Sequence, residues 1–211
     1  MTPMADLLYL SLWLRDHHVG NMLGHWKTLI EAFPVSAVYP GIRSLAIHPF
    51  DWAEAPAFER NFEAGTEADD VIHLAAEFQY ADYAYEAELH WDLWLPDSSP
   101  ESEGWRRSPS VCSITCMGPD FESEGPRDRA ALQVNFGLDT PFLPSEEDEL
   151  PSLDPNFDPE MADLRTQANL RQLISFVHQL DQRLPVLKRM LWCESGENLA
   201  EKILAAWDMR L

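Results

Sequence analysis

An α+β fold, with an antiparallel or mixed sheet carrying helices on one face, is predicted by three features of the sequence. The first is the stretch Asp82 to Leu95, where Tyr83, Tyr85, Ala87, Leu89, Trp91, Leu93 and Leu95 alternate with Glu86, Glu88, His90, Asp92 and Trp94. Successive strand side chains point to opposite faces, so this is a strand buried on one side, the habit of antiparallel sheets. The second is the order of patterned segments up to Leu95: strand, helix, strand, short strand, helix, strand. That is the βαββαβ order of a ferredoxin-like unit, to which later strands would be added. The third is the series Leu170, Leu173, Ile174, Val177, Leu180 and Leu184, an apolar stripe at helical spacing near the C-terminus.

The elements follow in order. Leu7 to Leu14 is an apolar run too short for a helix of its own and reads as a buried strand. Arg15 to Gly20 turns the chain, Asn21 caps a helix, and Met22, Leu23, Trp26, Leu29, Ile30 and Phe33 form its stripe before Pro34 ends it. After the Pro40-Gly41 turn, Ile42 to His48 is a second strand with Leu45 and Ile47 facing one way. Phe58, Arg60 and Phe62 alternate within Ala57 to Phe62, marking a short third strand. Thr66 and Asp69 are spaced as a capping box for a helix with the stripe Val71, Leu74, Ala75 and Phe78. The alternating strand comes next, then a Ser- and Pro-rich break from Pro96 to Pro109. Val111 to Met117 and Ala131 to Leu138 are two more strands, separated by a charged loop from Gly118 to Arg129. Pro185 breaks or kinks the long C-terminal helix, and Leu199, Ile203, Leu204 and Trp207 mark a last one.

Three regions are expected. Residues 1–138 form the α+β sheet domain, 139–163 an acidic, Pro-rich linker or surface loop, and 164–211 the C-terminal helices packed on the same domain. The middle region contains no Lys or Arg. A structureless run of that length inside a compact domain is unusual, so it connects or wraps.

Acidic residues outnumber basic ones 36 to 15, a net charge of −21. Phosphate binding needs a basic patch, and none is visible, so nucleic acid and anionic membrane surfaces are not expected partners. A basic protein partner suits the charge, and so does plain solubility. The three cysteines are an odd number, and Cys112 and Cys116 on one strand face would sit roughly 13 Å apart, too far to bridge. No signal-peptide pattern or spanning-length apolar run is present, so a reducing cytoplasm is expected.

Glu86, Glu88, His90, Asp92 and Trp94 are the candidate ligand-binding residues. Carboxylates flanking an imidazole are the residue types of metal and acid–base sites. Yet neighbours in such a row lie about 6.6–6.8 Å apart, while metal donors must come within about 2.0–2.6 Å of a common centre. The row therefore reads first as the wet face of a strand, with a site requiring donors from neighbouring strands. Trp94, an indole on that face, is either covered by the C-terminal segment or exposed as a contact anchor. The turn Asp16-His17-His18-Val19-Gly20-Asn21 is a second candidate, with His25 beyond it. It lacks a glycine-rich phosphate fingerprint, and the reading that comes first is an exposed loop. No nucleophile elbow, Walker, HExxH or EF-hand pattern occurs. No cofactor and no metal are assigned.

The expected function is a non-catalytic binding or interaction module for a basic protein, with a sheet-mediated homodimer as a variant. The alternative is a ligand-binding or metal-assisted enzyme using the row.

Overall fold

The computed structural model describes residues 5–97, 104–122, 129–143, 159–196, 199 and 201. Along the chain run β1 (Leu7–Leu14), α1 (Met22–Ala32), β2 (Ile42–Pro49), β3 (Phe58–Asn61), α2 (Ala68–Ala76), β4 (Tyr83–Pro96), β5 (Trp105–Met117), β6 (Leu132–Leu138), a 3-10 turn (Thr140–Phe142), α3 (Pro159–Arg183) and β7 (Val186–Cys193). The strands form one seven-stranded sheet in the order β3-β2-β4-β5-β6-β1-β7, every pair antiparallel. The chain order βαββαβ is as expected, but the pairing is not that of a ferredoxin-like unit. None of β2, β3 and β4 neighbours β1, which lies between β6 and β7.

Register explains where the core sits. Leu45, Ala87, Ile114, Val134 and Leu10 are partners in turn across β2, β4, β5, β6 and β1, and all five are buried in one cluster. Trp26 from α1, Val71 from α2, and Leu173, Phe176 and Leu180 from α3 belong to the same cluster. Two contacts fix the helices on it. The Trp26 Nε1–H donates to Ile114 O at 3.0 Å, and Phe176 packs edge-on against both Phe33 and Phe136. Trp91 is the centre, touching Phe33, Phe136 and Phe142 with ring centroids 5.2–5.7 Å apart.

The opposite row of partners reads Glu59, Ala46, Glu86, Thr115, Gln133, Ser11 and Met190. This second face is polar toward β2 and β4. Toward β1 and β7 it is aromatic, with Tyr9 stacked on Trp192 at 4.7 Å and the Lys188 ammonium 4.2 Å from the Trp13 ring centroid. Ala84, Met117 and Phe121 form a small core at one end of this face, with Trp52 against Phe121 and His48.

Several elements differ from expectation, each for a local reason. Pro185 ends α3, but Val186–Cys193 is an edge strand on β1, not helix. Part of the expected break, Trp105 to Pro109, instead pairs with β4 out to Pro96. The Thr66 hydroxyl turns back to Glu63 O, so no capping box forms and Glu67 is the N-cap of α2. Asn21 stands at the N-cap of α1, yet its side-chain oxygen Oδ1 accepts the His18 N–H and closes the preceding turn. Leu199 and Glu201 are helical. The rest of the expected last helix, and most of the 139–163 region, lie outside the described residues.

Candidate functional sites

The alternating row does not act as a unit. Asp92 is committed to the loop after α1. Its carboxylate accepts from the Ser36 hydroxyl at 2.5 Å and from the Ala37 N–H at 3.0 Å, while Ser36 N–H donates to His90 O at 2.7 Å. His90 lies against Tyr39 of the same loop, ring centroids 5.2 Å apart. Trp94 is taken by α3: the Arg165 guanidinium sits 3.6 Å over its ring, and its backbone exchanges two 2.9 Å hydrogen bonds with the buried Asn169 side chain. Of the two readings of Trp94, coverage by the C-terminal helix is the one observed.

That leaves Glu86 and Glu88 facing out from the middle of the sheet. Partial burial raises the Glu86 pKa above the ordinary carboxylate range; His48 and the Thr115 hydroxyl pull it down, and Glu88 pushes it up. The folded state therefore holds this proton to higher pH than the unfolded chain does. Stability must fall as pH rises from the ordinary Glu range through the raised value. Glu86→Gln is accordingly expected to be more stable than the parent at pH 7 and to lose that advantage near about pH 4. Urea midpoints across this range check it, and a parent more stable than the variant at pH 7 would refute the assignment.

A group absent from the row comes together at one end of the sheet. Because β1 lies between antiparallel β6 and β7, the start of β1 meets the ends of both neighbours. Asp6, Asp139 and Cys193 stand at those three positions, and one donor atom from each lies within 4.8 Å of the others. Asp139 and Cys193 are fully buried and Asp6 partly so. One Asp139 oxygen accepts the Asp6 N–H at 3.0 Å, the Asp139 N–H donates to Asp6 O at 2.8 Å, and Cys193 Sγ lies 3.7 Å from the second Asp139 oxygen. Backbone contacts thus hold the Asp139 carboxylate in place with its second oxygen beside the thiol. No spacing rule in the sequence points to residues this far apart. The only sequence signal was a carboxylate directly before the first strand and another directly after the sixth.

The other two thiols are not chemical candidates. Cys112 and Cys116 are buried on the core face, and burial pushes both thiols well up, so they stay protonated. None of the three cysteines forms a disulfide among the described residues.

The turn after β1 separates its histidines. His18 Nδ1 accepts the Gly20 N–H at 3.0 Å. The His17 Nε2–H donates to Met117 O at 2.8 Å, and its ring lies 6.1 Å, centroid to centroid, from that of His25 on α1. Burial lowers the pKa of both His17 and His25, helped for His25 by His17. His17 also lines a cleft of about 410 Å³ with Trp13, Phe121, Arg129 and Leu187.

Compared with protein-family models, curated proteins and solved structures, the chain shows no significant match to any. No helix among the described residues is long and apolar enough to cross a membrane.

Proposed function

We propose that this chain binds a zinc-class divalent ion through Asp6, Asp139 and Cys193. The observation that carries the reading is the convergence of one sulfur and two carboxylate donors, from three strand ends, within 4.8 Å. A tetrahedral zinc with bonds of about 2.3 Å to sulfur and 2.0–2.2 Å to oxygen sets sulfur and oxygen about 3.6 Å apart. The Cys193 to Asp139 separation of 3.7 Å suits that geometry. A thiolate among the donors favours zinc, cadmium or cobalt over calcium and magnesium, which prefer all-oxygen shells. Three protein donors leave a fourth position for solvent or substrate, the ligand count of zinc sites that do chemistry. The metal-assisted alternative thus moves from the strand face to the sheet end. Thiols without disulfides suit the cytoplasm, and we take residues 1–138 and 164–211 as one domain, connected by the stretch between Leu143 and Pro159.

Tag-free protein is expected to take up one equivalent of Zn²⁺ and to melt higher with it, by about 2.7 kcal/mol at a hundredfold excess over Kd. Cobalt should give a thiolate charge-transfer band in the near ultraviolet that disappears in Cys193→Ser. Asp6→Ala, at the most exposed of the three positions, should weaken binding at least tenfold. Zinc that neither stabilises the protein nor distinguishes these variants would sink the proposal.

A second reading is favoured by the polar sheet face, where Val111 on β5 is 52% exposed on the strand adjoining Glu86 and Glu88. With a net charge of −21, the partner we infer for this face is a basic protein segment. Its binding should weaken steeply between 50 and 200 mM salt (roughly a halving of the screening length), and Glu86→Lys with Glu88→Lys should abolish it. Light scattering separates this from a homodimer. Association that ignores both charge changes would remove the reading.

A further inference from the structure

We propose that His17 and His25 are the ligand pair of a second site, for a borderline transition-metal cation such as Ni²⁺ or Cu²⁺, independent of the Asp6–Asp139–Cys193 cluster. The starting point is two unmet polar atoms. His17 Nδ1 and His25 Nδ1 are both buried and have no hydrogen-bond partner among the described residues. Buried imidazole nitrogens are normally satisfied. His48 Nδ1 and His90 Nδ1 share the unmet condition, but of the four only His17 and His25 bring two such rings together, where one bound species could meet both.

The tautomer of His17 favours a cation. A carbonyl can only accept, so the contact with Met117 O at 2.8 Å places the proton on His17 Nε2 and the lone pair on Nδ1. A ring that donates one N–H to a backbone carbonyl and offers the other nitrogen is the usual arrangement of a metal-bound histidine. The spacing also fits. With metal–nitrogen bonds of about 2.0–2.1 Å, two imidazoles on one ion have centroids about 5.2 Å apart at the tetrahedral angle and about 6.4 Å apart when opposite. The 6.1 Å found here, with the ring planes 23° apart, lies within that span, so a shared ion requires the two rings to turn their Nδ1 atoms toward each other.

The surroundings supply the rest. Asp16, in left-handed backbone at φ 57°, is close enough for its charge to act on His25. The cleft lined by His17 gives solvent a route to the remaining positions. His18 is turned elsewhere, its Nδ1 accepting the Gly20 N–H and its Nε2 lying 4.0 Å from an Asp16 carboxylate oxygen. Imidazole donors without sulfur select copper, nickel or zinc, with copper tightest.

Paramagnetic Ni²⁺ titrated into ¹⁵N-labelled, tag-free full-length protein tests this at residue resolution. At substoichiometric Ni²⁺ the ring signals of His17 and His25 should broaden first, ahead of exposed His73 and His178 and independently of residues around Cys193. His25→Gln should weaken Ni²⁺ binding at least tenfold, while His73→Gln leaves it unchanged. Should His25→Gln fail to fold, the wild-type broadening pattern alone decides. Broadening confined to His73, His178 or the neighbours of Cys193 would overturn the proposal, as would Ni²⁺ affinity unmoved by His25→Gln in folded protein. Absence of any Ni²⁺ effect would leave a buried water as the bridging species and also overturn it.

Discussion

Trp91→Ala is expected to destabilise the protein by about 3–5 kcal/mol, lowering Tm by on the order of 10 °C for a chain of this size. Trp91 is fully buried on β4 and touches Phe33 from the end of α1, Phe136 from β6 and Phe142 from the turn after it. Deleting its rings opens one cavity against three separate pieces of structure, and none can collapse into it alone. Trp91→Phe should behave very differently. The Trp91 Nε1–H has no hydrogen-bond partner among the described residues, so phenylalanine removes a buried polar group at a site that keeps most of its aromatic contacts. Trp26 is the comparison, because its Nε1–H is bonded to Ile114 O. Trp26→Phe should therefore cost about 1 kcal/mol more than Trp91→Phe, the usual net worth of one hydrogen bond. Denaturant unfolding of the three variants measures both differences. Equal costs for the two phenylalanine variants would mean that the indole N–H groups do not set the order.

Gly41→Ala should cost about 2–5 kcal/mol. Gly41 has φ +81°, where an L side chain pays about 1–2 kcal/mol, and a Cβ there would stand 2.5 Å from Thr66 O and 2.7 Å from Thr66 N. Those are backbone atoms of the turn that holds Ile42 N–H, so the clash can be relieved only by moving the start of β2, adding about 1–3 kcal/mol. Gly65 provides the control: its φ is +89°, but a Cβ would meet nothing within 4 Å. Gly65→Ala should thus show the conformational penalty alone. If both variants lose the same stability, crowding against Thr66 contributes nothing.

Much of the architecture was legible because it is written in local periodicity. Leu7–Leu14 forms a strand with the expected ends, and Tyr85, Ala87, Leu89, Trp91 and Leu93 are buried on one face as their alternation requires. Val186–Cys193 was illegible for the opposite reason. Its sequence, Val-Leu-Lys-Arg-Met-Leu-Trp-Cys, does not alternate, because an edge strand on a half-open sheet is not obliged to bury one face. Leu187 is accordingly 65% exposed. The row of Glu86, Glu88, His90 and Asp92 was found at once, but not its division, since the loop carrying Ser36 and Tyr39 is brought over it only by tertiary packing. The cluster at the sheet end was hidden by distance along the chain: Asp6 and Asp139 are 133 residues apart, Asp139 and Cys193 are 54 apart, and only the strand order joins them.

The position of β1 has a consequence for how the molecule comes into being. Synthesised ahead of both its partners, β1 pairs with none of the next four strands; Ser11 meets Gln133 122 residues later and Trp192 181 residues later. At about 5–20 residues per second, β1 waits roughly 10–40 s for its second neighbour. Until β6 emerges, Leu8, Leu10 and Leu12 belong to an apolar strand with both edges unpaired, and until β7 emerges one edge stays open, the kind of segment most prone to join other chains. Closing loops this long makes assembly slow as well as late. The yield of folded protein in the cell should therefore be governed by how well Leu7–Leu14 is kept apart from other chains until Val186–Cys193 has been made.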